Sequence, residues 1–202
     1  MASSPVDAAV AAIRSGEVVI LPTDTVYGLA ATAYGPAGRD ALYRLKGREP
    51  GQPTALMAAT VELLFECVPE LRGRAGRVVT TLLPGPYTLI LSNPARRFAW
   101  LCGDDPTSIG VRVPALAGVG GELLAAIGAV VATSANLPGG PEPRTVGDIP
   151  RSLRDGAAAV VDAGELPGVP STVLDLTGYE PRVVREGAGD VDAALARLAE
   201  LD

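Results

Sequence analysis

The spacing of the apolar segments constrains the fold of this chain more than any other feature. Short apolar runs with the composition of buried strands recur between residues 17 and 185. Some follow one another after only a few residues, whereas others are separated by amphipathic helices. Parallel neighbours need a connection of a dozen or more residues, so a purely parallel winding is disfavoured. The pattern predicts an α/β fold of the α+β type with three layers, in which a twisted, mixed parallel and antiparallel sheet of about seven strands is flanked by helices.

Capping residues and apolar spacing predict the helices. The first begins after Ser4 with Pro5 at its first position, and Gly16 ends it. Further helices are predicted at residues 37–45, 61–67, 71–82, 118–127, 146–153 and 191–201. The Pro- and Gly-rich residues 137–143 are interpreted as an ordered or closing loop, because strand patterns continue after them. Residues 1–202 are interpreted as a single domain.

Charge and residue usage exclude several classes of protein. The net charge of −6 argues against a protein whose main task is binding a nucleic-acid backbone. The chain has no histidine, which excludes Ser-His-Asp and Cys-His catalysis, and its two cysteines are too far apart to suggest a zinc site. The first residues do not resemble a signal peptide, and no apolar run is long enough to span a bilayer. We therefore expect a cytoplasmic protein without a membrane partner.

Lys46 is the only lysine among seventeen cationic side chains. A compact ammonium group is a usual point-charge partner of a polyphosphate, and the geometry of arginine does not reproduce it. Arg48 follows two residues later. The structural alternative is that Lys46 sits at a helix C-terminus, where the helix dipole favours a cation, and that Arg48 is a solvated loop charge.

The other candidates lie where apolar runs end. Thr23, Ser134, Asn136 and Ser171 follow predicted strands, and each has the alternative interpretation of a turn or capping residue. Arg112 interrupts an apolar strand, where a charge is either on a wet face or bonded to an anion. Taken with Arg185 near the end of the chain, the residues indicate an enzyme site that binds phosphate or carboxylate groups.

The motifs resemble those of the YrdC family, the threonylcarbamoyl-AMP synthases. The first and most specific is Pro22-Thr23-Asp24-Thr25-Val26-Tyr27-Gly28-Leu29. The others, in order along the chain, are Lys46-Gly47-Arg48, Pro84-Gly85-Pro86-Tyr87-Thr88, Gly110-Val111-Arg112-Val113-Pro114, Ser134-Ala135-Asn136, Ser171-Thr172-Val173 and Arg185-Glu186-Gly187-Ala188. The likeness covers nearly the whole chain and is that of the short form of the family. Leu116 follows the fourth motif where the family usually has a different sequence, and Met57 replaces a histidine of its threonine site.

The resemblance implies a YrdC-like fold and the synthesis of threonylcarbamoyl-AMP and pyrophosphate from L-threonine, bicarbonate and ATP, with Mg2+ accompanying ATP and no known metal ligand. The product would supply a tRNA-modifying threonylcarbamoyl transferase complex. By resemblance, the catalytic residues would be Lys46 and Arg48, and the nucleotide-binding residues would be Lys46, Arg48, Ser134, Asn136 and Arg185. The threonine-binding residues would be Thr23, Ser108, Arg112 and Ser171.

Two alternatives to this function stay open on the sequence. One is an RNA-binding member of the same fold, and weak RNA binding is compatible with the synthase as well. The other is a paralogue that uses the same site for another nucleotide reaction, which the residues Met57 and Leu116 keep open.

Overall fold

A computed structural model describes residues 4–201 of the chain. The prediction that the first residues carry no targeting signal falls partly on residues 1–3, which lie outside the described residues. The prediction of a single domain over residues 1–202 likewise includes residues outside this range, and it stays a prediction. Within residues 4–201, none of the helices has the length and hydropathy that crossing a membrane would need.

Helices and strands alternate irregularly along the described chain. The helices are α1 (Pro5–Arg14), α2 (Pro36–Lys46), α3 (Val61–Cys67), α4 (Arg74–Leu82), α5 (Gly118–Ile127), α6 (Arg151–Gly156) and α7 (Val191–Ala199). The strands are β1 (Val19–Pro22), β2 (Tyr27–Thr32), β3 (Ala55–Ala58), β4 (Tyr87–Ser92), β5 (Ser108–Arg112), β6 (Ala129–Ser134), β7 (Ala159–Val160), β8 (Thr172–Asp175) and β9 (Arg182–Arg185).

All of these strands belong to one sheet in the order β7-β1-β2-β6-β3-β5-β4-β8-β9. The pairs β1–β7, β3–β5 and β4–β8 are parallel, and the other neighbours are antiparallel. The predicted mixed sheet with flanking helices is therefore confirmed. The count of about seven strands is wrong, since nine are found in residues 4–201. The sheet ends in β7, which has only two residues, and in β9, which is largely exposed, and strands are predicted from the sequence at both positions, near residues 158–161 and at residues 182–185.

The helix predictions at residues 61–67 and 118–127 are confirmed, but the one at residues 146–153 is wrong. A single 3₁₀ turn spans Val146–Asp148 there, and α6 begins only after Pro150. Proline lacks the N–H group that a continuous helix would need at this position. The predicted helix at residues 71–82 begins later, at Arg74, because a separate 3₁₀ turn at Pro69–Leu71 precedes it.

Side-chain alternation along the strands divides the core into two layers. In β1, Ile20 belongs to the larger apolar cluster on one face, whereas Val19 and Leu21 belong to a smaller cluster on the other face. The smaller cluster includes Ile13 of α1 and Leu123 of α5. These two helices thus cover one face of the sheet beside β1, β2 and β6, and the remaining helices that contribute buried residues pack on the opposite face.

On the face that α1 and α5 cover elsewhere, β6 and the strands beyond it carry several small side chains among larger apolar ones such as Met57 and Ile90. Alternating positions of β3, β5 and β6 place Ala55, Gly110 and Ala132 on this face, and their short side chains leave space above the sheet. Residues one position along, such as Leu56 and Val111, point into the main core. The same alternation that builds the core therefore opens a cavity on the other side.

The close packing of α2 on β2 gives a test of the fold. A Cβ atom on Gly38 would lie 2.1 Å from the carbonyl oxygen of Thr32. We expect Gly38→Ala to lower the free energy of unfolding by about 1–3 kcal/mol, as overpacking does, although alanine in a helix is otherwise favoured over glycine by roughly 0.5–1 kcal/mol. Urea denaturation measures the change. In the control, Gly178→Ala, the nearest atom is 3.7 Å away, and we expect a change below about 0.5 kcal/mol. A stabilised Gly38→Ala protein would contradict this packing.

Candidate active site

The cavity above the sheet has a volume of about 540 Å³ and contains most of the predicted site residues. Its walls come from the ends of β1, β5, β6 and β9 and from the loops beside them. Seven of the nine predicted residues line it: Thr23, Arg48, Ser108, Arg112, Ser134, Ser171 and Arg185. Lys46 and Asn136 lie behind this wall, and both are buried. Residues far apart in the sequence therefore meet at one site, as the strand-end pattern predicted.

Lys46 is the last residue of α2, and only 6% of its surface is exposed. Gly47 ends the helix with a left-handed backbone conformation (φ 69°) that favours glycine. The Lys46 Nζ donates to the Ser134 carbonyl oxygen at 2.6 Å, to Thr133 Oγ1 at 3.0 Å and to Asn136 Oδ1 at 3.1 Å. An ammonium group has three donors, so the end of β6 and the residues after it satisfy the lysine completely.

Burial and a neighbouring cation destabilise the charged form of Lys46. Desolvation makes the largest contribution, and Arg48 adds repulsion, while the carboxylate of Glu142 opposes both effects. Together they lower the pKa of Lys46 from 10.5 to about 8. The ammonium ion therefore still predominates near neutral pH, although the fold disfavours it, and it loses its proton in mildly alkaline solution.

Arg48 lies beside Lys46 and shares one of its partners. Its Nη1 donates to Thr133 Oγ1 at 3.2 Å, and its Nη2 donates to the carbonyl oxygen of Pro53 at 2.5 Å. The guanidinium group also lies over the ring of Tyr43, 5.4 Å from its centroid. Arg48 and Lys46 therefore form a fixed pair of cations at one end of the cavity.

Arg112 provides a second cationic end. Its Nη2 donates to the carboxylate of Asp24 and to Thr25 Oγ1 at 2.7 Å. The other carboxylate oxygen of Asp24 accepts the backbone N–H of Ala115 at 3.0 Å. The Arg112 Nε is buried and has no hydrogen-bond partner within the described part of the chain. The guanidinium group is thus anchored on one side and retains an unused donor, which suits an anionic ligand.

Arg185 reaches into the cavity from β9 and contacts Ser171. Its Nη2 donates to the carbonyl oxygen of Ser171 at 2.8 Å and to Ser171 Oγ at 3.2 Å, and Ser171 Oγ lies 2.9 Å from Thr88 Oγ1. Burial lowers the pKa of Arg185, and repulsion from Arg112 adds to this effect. Two arginines therefore face the same space from different strands.

Two predicted ligand residues are engaged within the protein. Thr23 Oγ1 donates to the carbonyl oxygen of Val26 at 2.7 Å, and so it builds the turn between β1 and β2. Ser108 Oγ donates to the carboxylate of Asp105 at 3.0 Å. Both side chains line the cavity, but each would have to exchange a partner to bind a ligand with the same hydrogen.

Sequence reasoning missed four residues of the site: Asp24, Thr88, Thr133 and Glu142. Asp24 lies inside the first motif and Thr88 inside the third, and this position points to the site, but the sequence alone assigns neither residue a role. Thr133 directly precedes the Ser-Ala-Asn motif and bonds to both Lys46 and Arg48. No sequence pattern indicates a role for Glu142, apart from its position in the loop 137–143.

The loop 137–143 is attached to the site at two points. Asn136 Nδ2 donates to the carbonyl oxygen of Gly140 at 2.8 Å, and the N–H of Tyr27 donates to the carbonyl oxygen of Pro143 at 3.1 Å. Between these points, Glu142 acts electrostatically on Lys46 and on Arg185. Residues 4–201 contain no group of three or more acidic, cysteine or histidine side chains that could hold a metal ion by themselves.

Comparison with known protein families gives a match over most of the chain. A family model named for Sua5, YciO and YrdC, with the description "Telomere recombination", matches residues 11–187. A putative threonylcarbamoyl-AMP synthase of Mycobacterium tuberculosis is 33% identical over 194 residues, which cover 96% of this chain and 87% of that protein.

Two crystal structures resemble the chain closely. The structure of Pyrococcus abyssi Sua5 complexed with L-threonine has a TM-score of 0.86 and 29% identity, and the match covers 96% of this chain but only 57% of Sua5. The structure of Escherichia coli YciO, an uncharacterized protein, has a TM-score of 0.81 and 29% identity, and the match covers 94% of this chain and 92% of YciO. The arrangement of helices and strands is thus shared with both structures.

The pairing of Asp24 with Arg112 gives a test of the site. Their side chains are only 10% and 12% exposed, so removing the negative charge leaves a poorly hydrated guanidinium ion. We expect Asp24→Asn to lower the free energy of unfolding by about 1–3 kcal/mol in urea denaturation. Asp155→Asn is the control, because its pair with Arg151 is 64% and 86% exposed, and we expect a loss below about 0.5 kcal/mol. Equal losses in the two variants would show that Asp24 does not organise the site.

Proposed function

Because the chain belongs to the Sua5–YciO–YrdC family, we propose that it is an L-threonylcarbamoyladenylate synthase, which forms threonylcarbamoyl-AMP and pyrophosphate from L-threonine, bicarbonate and ATP. The observation that carries the proposal is that one cavity has two cationic ends, Lys46 with Arg48 at one and Arg112 at the other. The reaction joins two anionic reactants, a triphosphate and a carbamate, so it needs positive charge at both positions.

At the nucleotide end, Lys46 and Arg48 would bind the triphosphate, with Ser134, Asn136 and Arg185 completing the site. The internal bonds of Lys46 define how this occurs. Its three donors are occupied by residues 133–136, so a phosphate oxygen must replace one acceptor. The hydrogen bonds to Thr133 and Asn136 then hold the ammonium group in place beside the cavity, so that it does not have to reorient during the reaction.

At the amino-acid end, Arg112 would bind the carboxylate of threonine. The Nη1 hydrogens, which bond to neither Asp24 nor Thr25, can donate to one carboxylate oxygen, and a parallel bond from Nη2 would replace Asp24 or Thr25 as its acceptor. Thr23, Ser108 and Ser171 lie around this end and would contact the remaining polar groups of the amino acid. Met57 lies beside Arg112 in the sheet register and provides an apolar surface for the methyl group.

The chemistry does not require a side-chain base. Bicarbonate supplies carbon dioxide and hydroxide; the neutral amine of threonine adds to the carbon dioxide, and the hydroxide takes the released proton as water, which leaves a carbamate anion. A carbamate oxygen then forms a bond to the α-phosphorus of ATP as the bond to the leaving pyrophosphate breaks. Charge accumulates on phosphate oxygens, where Lys46, Arg48 and Arg185 would stabilise it. A chain without histidine is therefore adequate for this reaction.

We also propose that Mg2+ enters with ATP. Without a cluster of ligating side chains in residues 4–201, most ligands would be phosphate oxygens and water, as is usual for this ion. The buried Oε2 of Glu142, which has no partner among the described residues, is compatible with one protein ligand. When bound, Mg2+ would neutralise part of the charge on the triphosphate.

The cellular role follows from the product. Threonylcarbamoyl-AMP is a mixed anhydride that must be consumed by a group-transfer reaction, and we propose a tRNA-modifying threonylcarbamoyl transferase complex as the acceptor and the cytoplasm as the location. The net charge of −6 limits any direct binding of RNA to a weak contact.

A second candidate is a related nucleotide-dependent reaction with another acceptor. The uncharacterized protein YciO is 31% identical to the chain, almost as similar as the synthase relative of M. tuberculosis. Met57 lines the cavity at a position where the family has a histidine of the threonine site. If the protein does not bind threonine, this difference would favour the second candidate.

Omission of single substrates tests the proposal. We expect pyrophosphate release only when ATP, bicarbonate and L-threonine are present together, and mass spectrometry should detect threonylcarbamoyl-AMP. Lys46→Ala should lower turnover by roughly 10²–10³, the effect of removing one preorganised charge. Arg44→Ala, which removes an exposed cation of the same helix, should leave turnover nearly unchanged. Pyrophosphate release without threonine would favour the second candidate, and normal turnover in Lys46→Ala would remove this residue from the mechanism.

The lowered pKa of Lys46 predicts how ATP binding depends on pH. The ammonium form is present below about pH 8 and is lost as the pH rises above it, so affinity for Mg2+ and ATP should fall between about pH 8 and pH 10. Calorimetry without threonine and bicarbonate isolates this effect from the titration of the substrates. The Lys46→Ala variant should bind weakly with no change in this range. A wild-type affinity that is constant up to pH 10 would contradict the assignment.

A further inference from the structure

Glu142, which is partly exposed, is the one acid near the cavity in the described part of the chain with a carboxylate oxygen that is shielded from solvent and lacks a hydrogen-bond partner. Its Oε2 is inaccessible to solvent and has no hydrogen-bond partner. Buried polar groups are nearly always paired, so such an atom indicates a missing ion or ligand.

The other acids around the cavity are already engaged. Asp24 holds Arg112 and the backbone of Ala115. Asp105 accepts hydrogen bonds from Thr107 and Ser108. Asp104 is exposed, so water satisfies it. Glu142 therefore differs from them in having a shielded carboxylate oxygen without a partner.

The loop holds Glu142 on the phosphate side of the cavity. Gly140 is bonded to Asn136, which itself accepts from Lys46, and Pro143 is bonded to the first residue of β2. Glu142 lies between these two attachments. Its charge acts on both Lys46 and Arg185, two of the cations assigned to the nucleotide.

We propose that the carboxylate of Glu142 is the protein ligand of the divalent cation that accompanies ATP. This inference rests on the proposed function, because the triphosphate supplies the other ligands. A carboxylate among phosphate-binding cations repels a bare polyphosphate, but it attracts a magnesium ion bound to that polyphosphate. Mg2+ commonly binds to proteins through one or two carboxylates together with substrate phosphates and water. The group that weakens binding of free ATP thus strengthens binding of its magnesium complex.

A binding experiment without turnover tests the proposal. Dissociation constants for ATP are measured by calorimetry at constant ionic strength, once with EDTA and once with saturating Mg2+. We expect Mg2+ to strengthen ATP binding by the wild-type protein. In Glu142→Gln, free ATP should bind at least as tightly as in the wild type, and the strengthening by Mg2+ should fall by about tenfold or more.

Two further variants serve as controls. Glu186→Gln removes an exposed carboxylate next to Arg185 and should keep the wild-type effect of Mg2+, which excludes a general change in charge. Glu142→Asp retains a carboxylate and should keep part of the effect. It also provides a second variant if Glu142→Gln folds poorly.

The outcomes separate the proposal from its competitors. If Glu142→Gln strengthens binding of ATP and of its magnesium complex equally, the carboxylate only occupies the phosphate position, and the proposal is wrong. An unchanged effect of Mg2+ in Glu142→Gln would also overturn it. A wild-type protein that binds the magnesium complex as expected but makes no threonylcarbamoyl-AMP would overturn the proposed function and keep this inference. A wild-type protein that binds no ATP would overturn both.

Discussion

The burial of the Lys46 ammonium group is the interaction on which the rest of the site depends. A cation this poorly hydrated is stable only if its donors are satisfied, and residues 133–136 provide the acceptors. Those acceptors must lie at the end of α2, which fixes the position of α2 against the end of β6. Asn136 in turn bonds to Gly140 and so attaches the loop 137–143 to the same point. One buried charge therefore links a helix, a central strand and a loop.

The cations of the cavity share a second constraint, which is that each must have a partner before any ligand binds. Asp24 serves Arg112, the hydroxyl and carbonyl of Ser171 serve Arg185, and Thr133 lies between Lys46 and Arg48. These partners lower the cost of desolvation and hold the donors in place. A ligand then exchanges one set of acceptors for another instead of ordering free side chains, which reduces the entropy that binding would otherwise lose. The small residues at Gly28, Gly110 and Ala132 keep the space for that exchange open.

Much of this arrangement could be predicted from the sequence, and the reasons for the failures are physical. Most of the site residues predicted from the ends of apolar runs line the cavity, because strand ends meet at the edge of a sheet. The sequence pattern also fixed Lys46 at the end of α2. The sequence pattern could not show that Ser108 donates a hydrogen bond to Asp105, or that Glu142 lies near Lys46. These contacts depend on loops whose path has no periodic sequence signal. The helix expected over residues 146–153 does not form as one element, because Pro150 cannot donate the backbone hydrogen bond of a continuous helix, whereas the apolar spacing continues through it.

The acidity of the whole chain and the cationic cavity are compatible because they act at different distances. At physiological ionic strength, charges more than about 8 Å apart in water are largely screened. The net charge of −6 therefore affects solubility and the encounter with large polyanions such as RNA, for which many surface charges add up. Inside the cavity, water is displaced, and a few fixed cations act on a small anion with little screening. A small anionic substrate can thus be bound by a protein whose surface does not favour a nucleic-acid backbone. The single lysine lies at this cavity, where the local positive charge contrasts most with the negative net charge of the chain.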